Sequence, residues 1–150
     1  MSDLRIVQAG LHHLDVLAPL FDAYRVFYKQ DSDKQKARDF LHARLSGLEA
    51  MVFIAFDGDD PAGFTLLYPG FSSVSLGSAW LLNDLFVTPE ARGKGVGEAL
   101  LKRAAEFGKQ SGALKLSLAT QIENETAQRL YERLGWQRDT EFYHYTLPLS

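Results

Sequence analysis

Seven residues, Ala91-Arg92-Gly93-Lys94-Gly95-Val96-Gly97, carry the clearest chemical pattern in the chain. They stand between a strand-like stretch and a helix-like one. This order lines up backbone N–H groups at a helix N-terminus, where the macrodipole adds roughly half a positive charge and favours an anion. Gly93, Gly95 and Gly97 lack the Cβ atoms that would hold a diphosphate away from the main chain, and Arg92 and Lys94 add positive charge at the rim. A tight strand-to-helix turn that takes glycine for its dihedrals and binds nothing uses the same residues, so the pattern alone leaves both readings open. Spacing removes two nucleotide motifs. A Walker loop needs G-x-x-x-x-G-K-[ST], but Lys94 is followed by Gly95, and neither Val87 nor Thr88 is glycine. A dinucleotide fingerprint would need glycine or alanine at Leu100 or Glu98.

Asn83-Asp84 is the second feature: two residues that strands avoid, inside the otherwise apolar run Ser78 to Val87. An interruption of this kind in a long apolar strand needs a structural reason. Tyr131 shares a helix face with Ala127, Leu130 and Leu134, and periodicity alone reads it as core. Tyr24 and Tyr28 likewise form a helical stripe that reads as core or interface. The four histidines, His12, His13, His42 and His144, show neither an i, i+4 pair nor carboxylates at ligand spacing, so no metal is expected. The charge run Asp31 to Arg38 reads as a solvated helix start.

With 150 residues, 46% hydrophobic and 23% charged, the chain fits one globular domain spanning 1–150, with a core over about 4–147. Cysteine is absent, which removes disulfides, thiolate zinc sites and a cysteine nucleophile, and suits a reducing cytoplasm. A net charge of -3 offers no positive field for a phosphate backbone, so nucleic acid is not an expected partner. No membrane association is expected either: MSDLRIVQAG lacks a basic stretch followed by an apolar one, and Met51 to Phe56 is strand-sized.

Around these residues the hydrophobic period alternates between two and 3.6. Leu4 and Ile6 mark a strand ending at Gly10. A helix then carries Leu14, Leu17, Leu20, Phe21, Tyr24 and Phe27 or Tyr28, starting or kinking at Pro19. Asp31 or Ser32 caps a second helix running to about Gly47. Met51 to Phe56 and Gly63 to Tyr68 form a hairpin around Asp57-Gly58-Asp59-Asp60-Pro61. Pro69 to Gly77 reads as a loop or frayed strand, followed by the long strand Ser78 to Val87, a helix from about Gly95 to Ser111, a strand Leu114 to Ala119 and a helix Glu123 to Leu134 stopped by Gly135. The aromatic tail Trp136 to Leu147 predicts one or two last strands.

The run Val87-Thr88-Pro89-Glu90-Ala91-Arg92-Gly93-Lys94-Gly95-Val96-Gly97-Glu98-Ala99-Leu100-Leu101 resembles motif A of the GCN5-related N-acetyltransferases, R/Q-x-x-G-x-G/A. Asn124, Ala127 and Leu130-Tyr131-Glu132-Arg133-Leu134-Gly135-Trp136 resemble motif B of the same family, N-x-x-A-x-x-L-Y-E-x-L-G-W. Asn83-Asp84-Leu85-Phe86-Val87 and the Tyr24 to Tyr28 region are most similar to the branch holding the yeast histone and D-amino-acid acetyltransferases and the diamine acetyltransferases. The resemblance implies an α/β fold. Its mixed, mostly antiparallel sheet has six to seven strands, flanked by about four helices and splayed between the fourth and fifth strands after a bulge in the fourth.

It also implies roles. The main chain of Leu85, Phe86 and Val87 holds the pantetheine arm of acetyl-CoA, with an amide near Leu85 or Phe86 polarising the thioester carbonyl. Arg92, Gly93, Lys94, Gly95, Val96 and Gly97 hold the CoA pyrophosphate. Asn124 bonds the pantetheine arm, and Ala127 stays small beside it. Tyr131 places a hydroxyl near the CoA sulfur and donates a proton as thiolate leaves. Asp84 either takes the proton of the acceptor amine, directly or through water, or fixes the strand bulge by bonding main-chain N–H groups; the diamine enzymes carry glutamate where this chain has Asn83. Tyr24, Tyr28, Asn83 and Asp84 border the acceptor cleft. The expected activity is direct acetyl transfer to a small primary amine, such as a polyamine, amino acid or amino-sugar antibiotic, in a cytoplasmic homodimer with Phe142-Tyr143-His144-Tyr145 in its contact. A protein lysine or N-terminal acceptor, and a non-catalytic acyl-CoA sensor, are the alternatives.

Overall fold

Period-two alternation puts Val52, Ile54 and Phe56 on one side of a strand and Phe53 and Ala55 on the other. All five are buried, so this strand needs cover on both faces. The computed structural model, which describes residues 3–150, shows where that cover comes from. The chain divides into two compact units, Met1–Leu118 and Ala119–Ser150. In the first, β1 (Leu4–Gln8), β2 (Met51–Asp57), β3 (Asp60–Ser72), β4 (Gly77–Val87) and β5 (Lys115–Ser117) form one sheet in that order. Every neighbouring pair is antiparallel except β4 with β5, which is parallel. α1 (Leu14–Phe27) and α2 (Lys34–Ser46) lie between β1 and β2, and α3 (Val96–Gln110) joins β4 to β5. The second unit holds α4 (Glu125–Arg133).

One face of the sheet packs on α1 and α2. Leu17 and Phe21 of α1 and Leu41 of α2 share a cluster with Val52, Ile54 and Phe56 of β2, Phe64 and Leu66 of β3, and Phe86 of β4. The other face meets α3, whose Phe107 ring lies 5.6 Å from Phe53 and 5.0 Å from Trp80, and whose Leu100, Leu101 and Ala104 are buried.

Among the described residues the sheet has five strands, not six to seven. No strand follows β5. In the tail the Asp139 carboxylate accepts from the N–H groups of Glu141 at 2.9 Å and Phe142 at 3.2 Å, a local turn that takes donors a ladder would need. Pro69 to Gly77 is more regular than expected. Gly70, Phe71 and Ser72 pair with Ala79, Ser78 and Gly77, which leaves only the turn at 73–76 outside the ladder. α1 starts at Leu14 and carries Pro19 inside it. β4 and β5 pair only from Ala79 with Lys115 to Leu81 with Ser117, so the rest of β4 runs on without a partner in β5.

The connection between α1 and α2 is fixed by a residue that periodicity does not single out. Asp22 is 3% exposed, and its carboxylate accepts from Ser32 Oγ and from the Asp33 N–H, both at 2.7 Å. With its hydroxyl committed there, Ser32 does not cap α2; Asp33 does, accepting from the Lys36 N–H at 3.0 Å. The Ser32 hydrogen bond is the main cause that holds Asp22 below the usual carboxylate range, against the opposing effect of burial. A depressed folded-state pKa contributes stability that is present above the unfolded value and is lost as pH falls through the folded one. Asp22→Ala is therefore expected to lower Tm at pH 7 by about 5 °C, with the gap from wild type closing below about pH 4. Thermal unfolding across that range checks it, and a gap of the same size in acid would contradict the assignment.

Candidate active site

The register between β3 and β4 breaks at one point. Leu66 pairs with Asp84 but Leu67 pairs with Leu82, so Asn83 is an extra residue, a β-bulge. The bulge changes the phase of the strand. Leu82, opposite Leu67, and Asp84, opposite Leu66, would share a face in a regular strand; here Asp84 takes the face of Leu66, which packs on α1 and α2. A carboxylate thereby enters a largely apolar layer. The interruption at Asn83-Asp84 is this bulge.

Asp84 is 7% exposed, and its side chain is held on two sides. Tyr24 of α1 donates its hydroxyl to Oδ1 at 2.8 Å, and the Asn83 amide donates to Oδ1 at 3.2 Å and Oδ2 at 3.1 Å. Thr65 fixes the backbone by donating its hydroxyl to the Asp84 carbonyl at 2.8 Å. Burial pushes the Asp84 carboxyl above its ordinary range, while the Tyr24 and Asn83 hydrogen bonds pull it back. Tyr24 is driven far above the ordinary phenol value by burial first and by Asp84 second, so it remains a donor. Its ring packs against Phe64 at 5.4 Å, Phe86 at 5.8 Å and the half-exposed Tyr28 at 5.1 Å. Tyr68 of β3 is also raised, by burial and then by the charge of Asp84, with Arg44 opposing.

Beyond the bulge, backbone direction matters. The Thr88 N–H donates to the Ala62 carbonyl at 2.9 Å, opposite the pairs Gly63 with Val87 and Phe64 with Phe86. Antiparallel ladders alternate, so the Phe86 N–H also faces β3, and those of Leu85 and Val87 face the edge from which β5 is missing. The Val87 carbonyl on that edge accepts from Arg92 Nε at 3.2 Å. Gly63 lets the two strands close: a Cβ there would collide with the Phe86 carbonyl oxygen.

The glycine-rich turn follows at once. Gly93 and Gly95 have φ of +81° and +80°, and a Cβ on either would meet no atom within 4 Å, so backbone conformation requires glycine there and the space above stays open. Gly95 is the N-cap of α3 and has no side chain to close the helix end, whereas Asp33 of α2 and Asn124 of α4 each cap with an oxygen. Val96 is buried beneath the turn, and Gly97 lies against Val87. Arg92 stacks over Phe27 at 5.1 Å, and Lys94 pairs with Asp57 at 3.5 Å.

Asn124, Ala127 and Tyr131 belong to the second unit. Asn124 Oδ1 accepts from the Ala127 N–H at 3.2 Å, so both residues build the start of α4. Tyr131 is half-buried with its ring 6.1 Å from Trp136, and the Trp136 N–H donates to the Tyr131 carbonyl where Gly135, at φ +97°, ends the helix.

The structure thus joins Tyr24, Tyr28, Asn83, Asp84 and Phe86 in one cluster, and Val87, Arg92 and the glycines in a second, where β4 ends and α3 begins. Sequence reasoning missed Thr65, Tyr68, Phe27 and Asp57. For Thr65 and Tyr68 a signal exists, since each interrupts the apolar run Phe64 to Leu67 or closes it. For Asp57 and Phe27 none does, because only the fold brings them to Lys94 and Arg92.

Comparison with known proteins adds the family. The model of the acetyltransferase (GNAT) family matches residues 17–136. The uncharacterized N-acetyltransferase YhfO of Bacillus subtilis (strain 168) is 47% identical over 144 residues, covering 96% of this chain and 97% of its own. The thialysine N-epsilon-acetyltransferase of Caenorhabditis elegans is 27% identical over 91% of this chain and 84% of its own. A crystal structure of a probable acetyltransferase superposes with a TM-score of 0.92 at 44% identity, over 97% of this chain and 98% of that one. The aminoglycoside N-acetyltransferase AAC(6')-Iy in complex with CoA superposes with a TM-score of 0.79 at 20% identity, over 98% and 96%, a likeness of fold alone. On the motif A turn, the strand before it and these matches, the chain belongs to the GNAT family and is an N-acetyltransferase.

Proposed function

We propose that the acetyl donor is acetyl-CoA and the acceptor a small primary amine that attacks directly in a ternary complex. The bulge at Asn83 carries this reading, because it sets a buried carboxylate beside a strand edge with outward N–H groups and, one turn on, an uncapped helix end. The open N-terminus of α3, with Gly93 and Gly95 in left-handed conformation and Arg92 and Lys94 beside it, suits the pyrophosphate of CoA. Leu85 and Val87, with Phe86 between them, offer main chain for the pantetheine arm. The Asn124 amide and the small Ala127 serve the same arm. The CoA complex of AAC(6')-Iy, a neighbour in fold, and the thialysine enzyme among the relatives support donor and acceptor class.

Acid–base roles follow from the proton count. A free alkylamine has a pKa of about 10.4 and arrives as an ammonium. Asp84 takes one proton, and the neutral nitrogen attacks the thioester carbonyl carbon to form the C–N bond. The outward N–H of Leu85 meets the charge that develops on the carbonyl oxygen. Tyr131 donates to the sulfur as the C–S bond breaks and regains its proton from the medium, and the second amine proton leaves to water. Tyr24, Tyr28 and Asn83 border the acceptor. The net charge of -3 favours a cationic acceptor, and Phe142, Tyr143 and Tyr145, each at least 71% exposed, support a homodimer contact, which we place in the cytoplasm.

Thiol release from acetyl-CoA with polyamines, amino acids, an aminoglycoside and a lysine peptide tests the acceptor class. Turnover of the peptide alone would replace the small-molecule reading, and binding of acetyl-CoA without turnover on any amine would leave only a sensor. Tyr131→Phe is expected to slow kcat roughly ten- to a hundredfold while CoA still binds, and an unchanged kcat at saturation contradicts its role. Gly95→Ala, strained at its positive φ and with its methyl projecting into the open space proposed for the pyrophosphate, is expected to raise KM for acetyl-CoA at least about tenfold for a Tm loss of a few degrees. An unchanged KM would move the pyrophosphate elsewhere.

A further inference from the structure

Asp84 has a specific shortage of room for partners. An ionised carboxylate offers about four acceptor positions, two on each oxygen. Oδ1 accepts from Tyr24 and from Asn83, and Oδ2 accepts from Asn83, so among the described residues one position remains, on Oδ2. Tyr24 is differently committed. Its hydroxyl is spent on Oδ1, and its ring is packed against Phe21, Phe64, Phe86 and Tyr28. Its one O–H donor is committed, so its part in proton transfer runs through Asp84.

We propose that Tyr24 is a positioning residue: its hydroxyl fills Oδ1 of Asp84, keeps the carboxylate ionised in an apolar layer, and leaves Oδ2 as the oxygen that takes the acceptor's proton. This rests on the reading of Asp84 as proton acceptor given above. The surroundings support it. Tyr24, with Tyr28 beside it, approaches from α1, Tyr68 from β3 and Asn83 from the same strand, and Arg44 of α2 acts on Tyr68. The groups that touch the Asp84 carboxylate are a phenol hydroxyl and an amide, so its ionised state depends on hydrogen bonds rather than on an adjacent cation. Burial alone works against that state.

The test is the pH profile of kcat/KM with the wild type, Tyr24→Phe, Asn83→Ala and Asp84→Asn, on an amine the enzyme acetylates. Tyr24→Phe keeps the ring and its packing. It is expected to move the acid limb to higher pH, so that activity falls about tenfold below the limb and returns to within about threefold of wild type above it. Asn83→Ala, removing the other donor, is expected to move the limb the same way. A Tyr24→Phe profile lowered evenly at every pH, with the limb in place, overturns the proposal and leaves Tyr24 a packing residue. Asp84→Asn separates the two levels. Loss of the limb there supports Asp84 as proton acceptor whatever Tyr24→Phe does, whereas a limb that survives in Asp84→Asn overturns that reading and the role of Tyr24 with it.

Discussion

One extra residue in β4 governs the geometry of the site, because side chains alternate along a strand and a single insertion exchanges faces for everything beyond it. With Asn83 bulged out, Asp84 and Phe86 face the layer of α1 and α2, while Leu82 before the bulge matches Leu67 on the α3 side. The same change of phase decides which main-chain groups meet β3 and which meet the opposite edge. Because β5 stops pairing at Leu81, the outward groups of Leu85 and Val87 lie beyond its reach. A strand that is paired on one side and open on the other can receive an extended ligand in the place of a neighbour.

The two ends of that open stretch carry opposite electrostatics within a short run of chain. At the near end Asp84 brings a negative charge into an apolar layer, at a desolvation cost that the Tyr24 and Asn83 hydrogen bonds offset in part. At the far end the first turn of α3 presents N–H groups under a favourable dipole, with Arg92 and Lys94 nearby. Neither cation is loose. Arg92 rests on Phe27 and the Val87 carbonyl, and Lys94 pairs with Asp57. An arrangement with a carboxylate at one end and a dipole-backed anion site at the other fits a cationic amine meeting an anionic acyl donor.

Local residue chemistry made part of this legible in the sequence. The glycine turn could be read because two of its positions have a backbone that only glycine adopts at no cost, and the bulge showed itself as two polar residues in an apolar strand. What could not be read depends on distant contacts. Tyr24 and Asp84 are sixty positions apart, and their hydrogen bond exists only because the bulge turns Asp84 toward α1. Nothing in the helix spacing singles out Asp22, because its burial follows from the loop that folds back over it. The tail was misread in the other direction. Alternating aromatics say which face a strand would show but not whether an edge exists to pair with, and Asp139 turns the backbone locally instead.

Amide hydrogen exchange along β4, followed residue by residue with and without acetyl-CoA, reads whether the edge beyond the bulge receives the donor. If the bulge opens this edge for the donor, the Leu85 and Val87 amides exchange quickly in the free protein and slow markedly when acetyl-CoA binds, whereas those of Phe86 and Thr88, already bonded to β3, stay protected in both states. Exchange at Leu85 and Val87 that is unchanged by acetyl-CoA, under conditions where it is bound, would contradict the account.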